Sequence, residues 1–472
     1  MGSGQVTDWQ GKHVTVAGLG VSGIPAAKVL HARGALVTVV NDGDDARARE
    51  QAAELEALGI TVRLGDGATL PEGTELIVTA PGWKPDKPLF VAAREAGVDI
   101  WGDVELAWRL RGPDAAPWLA VTGTNGKTTT VQMLASILKA AGLRTAAVGN
   151  IGVSLLDVVL GEEDHDVLAV ELSSYQLHWA PSLRAHSAAV LNLAPDHLDW
   201  HGSMEAYARD KGRIYEGNRV ACVYNVADKA TEDLVREADV EEGCRAIGFT
   251  LGTPGPSQLG VVDGILVDRA FVENRQKNAQ ELAEVSDVNP PAPHNIANAL
   301  AAAALARAFG VPAAAVRDGL RNFTPDAHRI AHVADVDGVA YIDDSKATNT
   351  HAAEASLAAY ESIVWIAGGL AKGATFDELV AKSAKRLRGV VLIGKDRALI
   401  REALARHAPE VPVVDLDRTD TGAMLAAVQE AQRLAAAGDT VLLAPACASM
   451  DMFANYNKRG DAFAEAVREL GA

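Results

Sequence analysis

WLAVTGTNGKTTT, residues 118–130, decides how the rest of the chain is read. Leu119, Ala120 and Val121 are apolar and suit a buried strand; Gly123, Asn125 and Gly126 permit a tight loop; Lys127-Thr128-Thr129 open a helix. Such an arrangement aims backbone N–H groups and a partial positive charge at one point, which suits phosphate. The spacing lets Lys127 reach β- and γ-phosphates and turns the Thr128 hydroxyl toward a Mg2+ ion. The pattern G-x-x-x-x-G-K-[ST] lacks its first glycine, because Val121 stands there, but G-x-x-G-K-T is intact from Gly123. An ordinary glycine turn before a helix is the weaker reading, since GKT follows a strand as a phosphate loop requires.

On the N-terminal side, residues 12–111 alternate apolar strands with helices, which implies a mainly parallel sheet covered by helices. The first turn holds Gly18, Gly20 and Gly23 as G-x-G-x-x-G, and the next strand ends in Asn41-Asp42, a carboxylate where a ribose can sit. The chemistry so read is a diphosphate at a helix N-terminus, which a nicotinamide dinucleotide or a nucleotide sugar satisfies equally. A glycine turn kept for helix–sheet packing is the bland alternative. A strand at 75–82 ends in Pro81-Gly82, and RGPDAAP reads as a linker.

On the C-terminal side, a middle unit runs to about residue 325. Its strands end in polar residues: Asn150 after TAAVG, Glu171 before Ser173-Ser174, and Asn192, Asp196, His197 and Asp199 in NLAPDHLDWHG. Ligands sit at the carboxyl ends of strands in such sheets. Beside a phosphate loop Glu171 reads as a Mg2+ ligand or water-positioning group rather than a solvated strand end. His197 among carboxylates reads equally as structural or metal-binding, and Lys211 on its predicted helix reads as a solvated charge. A Pro-rich segment, NPPAP, precedes an Ala-rich helix led by His294, Asn295 and Asn298. From residue 327 an Asp-Gly hairpin and four further strands predict a third α/β unit. The turn DDSKATN crowds Asp344, Lys346, Thr348 and Asn349, able to hold an anion, with a capping turn as the alternative.

Composition sets outer limits. A chain of 472 residues has three domains as its natural prior. A net charge of −18 argues against nucleic-acid and anionic-membrane partners. Three scattered cysteines offer neither a disulfide framework nor metal-site spacing. MGSGQVTDWQ has no charged-then-apolar leader, Val6 breaks the myristoylation pattern, and the apolar runs are interrupted by Arg or Gly. A cytoplasmic location is expected.

VTGTNGKTTT, VGNIG, ELSSYQL, NLAPDHLDWHG, DKGRIY, HNIANALAA, AHRI, DDSKATN, AGGLAKG and APACASMD occur in one order along the chain. In this it resembles, over essentially its whole length, the Mur ligases, ATP-dependent amide ligases that build the cytoplasmic peptidoglycan precursor. The DSKATN turn is similar to that of the D-glutamate-adding branch. The resemblance implies an α/β fold of three domains: a Rossmann-like UDP-binding domain (1–113), a central P-loop ATPase-like domain (114–325) and a Rossmann-like amino-acid-binding domain (326–472). It implies UDP-N-acetylmuramoyl-L-alanine, D-glutamate and ATP as substrates, two Mg2+ ions, and a chain acting as a monomer.

The same resemblance implies residue roles. Gly20, Val21, Ser22, Asn41, Asp42, Pro81 and Gly82 would hold the UDP group, and Asn150 the muramoyl part. Gly123, Thr124, Asn125, Gly126, Lys127, Thr128 and Thr129 would hold ATP phosphates and one Mg2+, which Glu171 shares. His197 and a carbamate on Lys211 would bind the second. Asn295 and Arg329 would touch the nucleotide and Asp344 its ribose. D-Glutamate brings two carboxylates, which Lys346, Thr348, Lys372 and Ser449 can receive, with Tyr456 as an aromatic wall. Two positions depart from the family pattern: Leu370 where Asp is expected, and Asp343 where Asn is common, adding charge near the ribose. Rival readings are a sister ligase adding another amino acid, a folate polyglutamylating ligase, an NAD-dependent oxidoreductase and a nucleotide-gated scaffold.

Overall fold

The computed structural model describes residues 8–418, 420 and 422–470. The segment read for a leader or lipid signal therefore lies, up to residue 7, outside the described residues. Three sheets carry the fold. The first comprises β1 (His13–Ala17), β2 (Leu36–Asn41), β3 (Thr61–Leu64), β4 (Leu76–Thr79) and β5 (Asp99–Gly102). Its order is β3-β2-β1-β4-β5, parallel throughout. Strand order reverses at β1, so the turn after it stands where doubly wound sheets take ligands.

The second sheet has parallel strands β6 (Trp118–Thr122), β7 (Thr145–Gly149), β8 (Val167–Glu171), β9 (Ser187–Val190), β10 (Ala221–Asn225), β11 (Arg245–Phe249) and β12 (Gln258–Val262). Beyond β12, β13 (Ile265–Asp268) and β14 (Gln280–Glu284) add on antiparallel. The order β14-β13-β12-β11-β10-β9-β6-β8-β7 makes β6 the switch point. Every residue of β6 is buried, as a strand covered on both faces demands. Leu119 and Val121 pack with Val131, Leu134 and Leu138 of the helix Lys127–Ala140. Trp118 and Ala120 face the other core, shared with Val14 and Val16 of the first sheet. The sequence reading passed over β10 to β14.

The third sheet contains β15 (Ala331–Val336), β16 (Val339–Asp343), β17 (Ile363–Gly368), β18 (Leu387–Ile393), β19 (Val413–Asp415) and β20 (Thr440–Leu443), ordered β15-β16-β20-β17-β18-β19. The predicted hairpin is present: Asp337 and Gly338 both have positive φ, 53° and 78°, the two-residue turn that matches strand twist.

Contacts group the chain into two compact units. One holds the first two sheets (residues up to 288 with 296–323); the other holds 289–295 and the third sheet. Cys222 and Cys244, scattered in sequence, lie with their sulfurs 3.9 Å apart, within hydrogen-bond reach but not joined as a disulfide. Among the described residues no helix is long and apolar enough to cross a membrane.

Candidate functional site

The ends of β6, β8 and β9 meet at the switch point of the second sheet. Register pairs Val121 with Glu171 and Thr122 with Val190, so the phosphate loop, Glu171 and the Asn192 segment emerge side by side. Gly126 holds φ +82°, and a Cβ there would fall 2.4 Å from Asn298 Oδ1, so only glycine fits. Asn192 clamps the loop: its Oδ1 accepts from Asn125 N–H at 2.9 Å and its Nδ2 donates to Asn125 O at 3.1 Å. Lys127 Nζ donates to Gly123 O and Thr124 O, both at 2.9 Å, which keeps the ammonium over the loop. Thr124 Oγ1 lies 3.0 Å from the Tyr207 hydroxyl, and Thr128 and Thr129 occupy the first turn of the helix.

Glu171 is 2% exposed. Its Oε1 accepts from Asn150 Nδ2 at 3.0 Å, whereas Oε2 is buried with no hydrogen-bond partner. Lys211 is equally buried, on the helix Met204–Gly212, with Nζ donating to Gly123 O at 2.8 Å. Among the described residues no carboxylate pairs with it within 4 Å. Burial, reinforced by the Lys127 charge, pushes its pKa well down, so the amine tends to its neutral, nucleophilic form. The solvated lysine read from sequence is thus a core lysine beneath the phosphate loop. His197 caps the short helix Leu198–His201 at φ 53°, with Nε2 3.5 Å from Asp196 Oδ2. His197 is exposed, and the partial loss of water around its ring lowers its pKa against the pull of Asp196. Trp200 on this helix donates from Nε1 to Gly82 O at 3.3 Å; its ring lies 4.8 Å from Tyr175 and 4.5 Å from His201.

In the first sheet the turn after β1 is built as its glycines foretold. A Cβ on Gly23 would sit 1.9 Å from the Gly18 carbonyl. Asn41 Oδ1 accepts from Leu19 N–H at 3.1 Å, and Ser22 Oγ donates to Asp103 Oδ2 at 2.7 Å. Asn41 and Ser22 thereby shape the turn, Asp42 pairs with Lys87, and Val21 stands 89% exposed above it. Gly20 has open space around it. Pro81 and Gly82 follow β4, the strand on the opposite side of β1 from β2.

In the second unit the residues singled out by sequence follow the carboxyl ends of β16, β17 and β20. Asp344 is buried; it accepts from Ile330 N–H and from the Ser356 hydroxyl, and burial pushes its pKa up to about 6. Arg329 lies near enough to act on it electrostatically and reaches Asp326 at 3.8 Å. Lys346 Nζ stands 4.0 Å from the centre of the Tyr456 ring, a cation–π contact, and Thr348 N–H donates to Lys346 O. Ser449 is buried, and its carbonyl accepts from Met452 and Phe453. Lys372 is exposed at φ 50° and makes none of these bonds. Asn295 Nδ2 donates to Pro290 O. Asp343, next to Asp344, is bonded on both oxygens: His328 Nδ1 bonds its Oδ2 at 2.6 Å and Ser345 N–H donates to its Oδ1. Leu370 exchanges both backbone hydrogen bonds with Ala448, which a side-chain change leaves intact.

Residues 121–306 match the Mur ligase middle domain, and residues 328–447 the Mur ligase glutamate ligase domain. A UDP-N-acetylmuramoylalanine–D-glutamate ligase of Streptomyces avermitilis is 90% identical over 99% of this chain and its own whole length. One of Thermobifida fusca is 59% identical over 98% of this chain and 99% of its own. The chain belongs to the Mur ligase family. This Mur ligase is an ATP-dependent acid–amino-acid ligase that extends a UDP-N-acetylmuramoyl precursor of peptidoglycan by one amino acid. Relatives 59–90% identical over nearly the whole chain, all of them peptidoglycan-precursor ligases, remove the oxidoreductase, folate-ligase and scaffold readings. Solved structures share the fold: a MurF ligase of Thermotoga maritima in complex with ADP has a TM-score of 0.57 at 15% identity, covering 98% of this chain and 96% of its own. A pseudomurein peptide ligase type C of Methanothermus fervidus also gives 0.57, at 18% identity, over 97% of this chain and its own whole length.

The donor set of this Mur ligase suits Mg2+. The described residues hold no ready cluster of three His, Cys, Asp or Glu. A magnesium site of the kind held by one or two protein oxygens together with substrate phosphates needs no such cluster. The unpartnered Glu171 Oε2 is a buried anionic acceptor beside the loop, and an ion there would satisfy it. Sequence reasoning named Asn192 without a role and missed Arg459. That arginine is 1% exposed and donates to Ser345 Oγ, Ser345 O and Cys447 O, tying DDSKATN to the APACASMD turn. Its position inside a charged amphipathic helix gave no signal.

Proposed function

We propose that this Mur ligase couples D-glutamate to UDP-N-acetylmuramoyl-L-alanine through an acyl phosphate. The substrate carboxylate attacks the γ-phosphorus of ATP, ADP leaves, the amine of D-glutamate attacks the activated carbonyl, and phosphate departs. A carboxylate is a poor electrophile, so phosphorylation is what makes the amide bond accessible. Lys127 would draw charge from the transferring phosphoryl group, and the loop N–H groups would orient it. Thr128 and Glu171 would hold one Mg2+; His197 and a carbamate formed from Lys211 and CO2, with loss of one proton, would hold a second. Bound there, the ions neutralise the anions that must meet. Gly20, Val21, Ser22, Asn41, Asp42, Pro81 and Gly82 would bind UDP, and Asn150 the muramoyl group. Asn295, Arg329 and Asp344 would contact the nucleotide. Lys346, Thr348, Lys372, Ser449 and Tyr456 would receive D-glutamate. The divisions at 113/114 and 325/326 would separate these three tasks, in a cytoplasmic monomer.

The observation that carries the reading is the phosphate loop with the buried, unpartnered Glu171 oxygen and the buried Lys211 at one sheet edge. The D-glutamate assignment is supported by the names of relatives up to 90% identical. The test supplies UDP-N-acetylmuramoyl-L-alanine and ATP with a panel of amino acids and follows phosphate release. D-Glutamate is expected to be the preferred acceptor, and Lys127→Ala to lower kcat by at least about 100-fold. Preference for L-alanine or a diamino acid refutes the assignment; near-normal turnover in Lys127→Ala refutes the phosphate-loop mechanism.

A further inference from the structure

One carboxylate outside the groups just assigned ties their supports together. Asp210 precedes Lys211 on the helix Met204–Gly212. Its oxygens lie 2.9 and 3.0 Å from His178 Nδ1, and Oδ2 lies 2.9 Å from His201 Nδ1. An ionised carboxylate can only accept, so both Nδ1 atoms carry hydrogen in this arrangement. His201 Nε2 stands 3.0 Å from Ser174 Oγ, and the His201 side chain is fully buried. Arg213 closes the group, 3.4 Å from Asp210 Oδ1 and donating to the His178 carbonyl at 2.8 Å.

These partners end two very short helices. His178 is the last residue of Ser174–His178, which begins three residues after Glu171. His201 is the last residue of Leu198–His201, whose cap is His197. Helices of five and four residues have almost no stability of their own, so tertiary ties must hold them. His197 moreover sits at positive φ, a conformation that persists only where the surroundings over-determine it. The tie lies one helical turn along, at His201. A buried carboxylate between two imidazoles is a costly way to fill space, which apolar side chains fill better.

We infer that Asp210 is a positioning residue for the metal site: bridging His178 and His201, it ties the short helices that follow Glu171 and His197 to the helix that carries Lys211, and so holds His197 and Lys211 in one geometry beside the end of β8. The inference rests on the proposed reading of those three groups as metal-binding. It acts through them and touches neither substrate nor ion. Partners that orient metal ligands typically matter 10- to 100-fold in affinity or activity.

The test compares wild type with Asp210→Asn, Asp210→Ala and His197→Ala. Mn2+ affinity is read from the free-ion EPR signal in the presence of ADP, and the ligase rate is titrated with Mg2+ well below each variant's melting temperature. Asp210→Ala is expected to weaken Mn2+ binding and raise half-saturating Mg2+ about 10-fold, with KM for D-glutamate within twofold of wild type and the rate recovering at high Mg2+. Asp210→Asn keeps the shape and one accepted bond, so it folds and shifts in the same direction by less. Metal affinity and Mg2+ response within twofold of wild type in folded Asp210→Asn and Asp210→Ala overturn the inference, provided His197→Ala weakens Mn2+ binding. If His197→Ala leaves Mn2+ binding unchanged, the metal reading itself fails and the inference falls with it.

Discussion

Glu171 ends β8 with one oxygen on Asn150 and the other, buried, on nothing. Leaving such an acceptor unmet costs about 1–3 kcal/mol, a cost that an incoming cation reverses. The expected outcome for Glu171→Gln is loss of the extra thermal stability that Mg2+ lends to ADP binding. A ligand at about 100 times its Kd contributes about 2.7 kcal/mol, so differential scanning fluorimetry with and without Mg2+ resolves the loss. Glu171 was legible because it stands at a strand end, and Lys127 because it opens the helix that follows a glycine loop; in both cases backbone direction assigns the meaning. Lys211 was not: on its helix it reads as a solvated charge, and only the phosphate loop and Tyr207 packed over it make it a core residue. Asp210, with its two histidine partners 32 and 9 residues away, was invisible for the same reason.

The helix Lys127–Ala140 owes its placement to a neighbour as much as to its own pattern. Gly319, on the helix Ala313–Asn322, packs so closely that a Cβ would fall 2.3 Å from Ile137 Cα, and its carbonyl accepts from Ser136 Oγ at 2.7 Å. Gly319→Ala must push these backbones apart, an overpacking cost of about 1–3 kcal/mol. The urea midpoint is expected to fall accordingly. Because the displaced helix carries Thr128, KM for ATP is expected to rise with it in steady-state assays. Elements with strong local signals were read correctly: the Asp337-Gly338 hairpin, and β6 with its loop. β14 was passed over because its QELAE carries charge where alternation should show. Pairing with β13, the strand just before it in the chain, and cover from the more distant helix Ala313–Asn322 make it a strand.

Across the whole chain, alternation of apolar runs sufficed to announce sheets built on β1, β6 and β16, each with candidate residues beyond its carboxyl edge. How those sheets share cores is a property of side-chain volume that periodicity does not carry: Trp118 and Val14 belong to one core although they lie in different sheets. The second unit has its own response to pH. The bond from Asp343 raises the His328 pKa above its ordinary 6.5, burial opposes, and the nearby charges of Asp343 and Asp461 add to the rise. A raised histidine value means stabilisation that is complete below about pH 6.5 and fades as pH climbs through the folded-state value. His328→Gln is therefore expected to lower the denaturation midpoint of this unit more at pH 6 than at pH 9, as measured by circular dichroism in urea. Trp200, hydrogen-bonded to Gly82 on one side and packed at a tilt against Tyr175 and His201 on the other, has a practical consequence. An indole held between the loop after β4 and the His197 segment reports on both, so the change in fluorescence on adding ligand, taken as the difference between wild type and Trp200→Phe, follows this edge of the chain without a label.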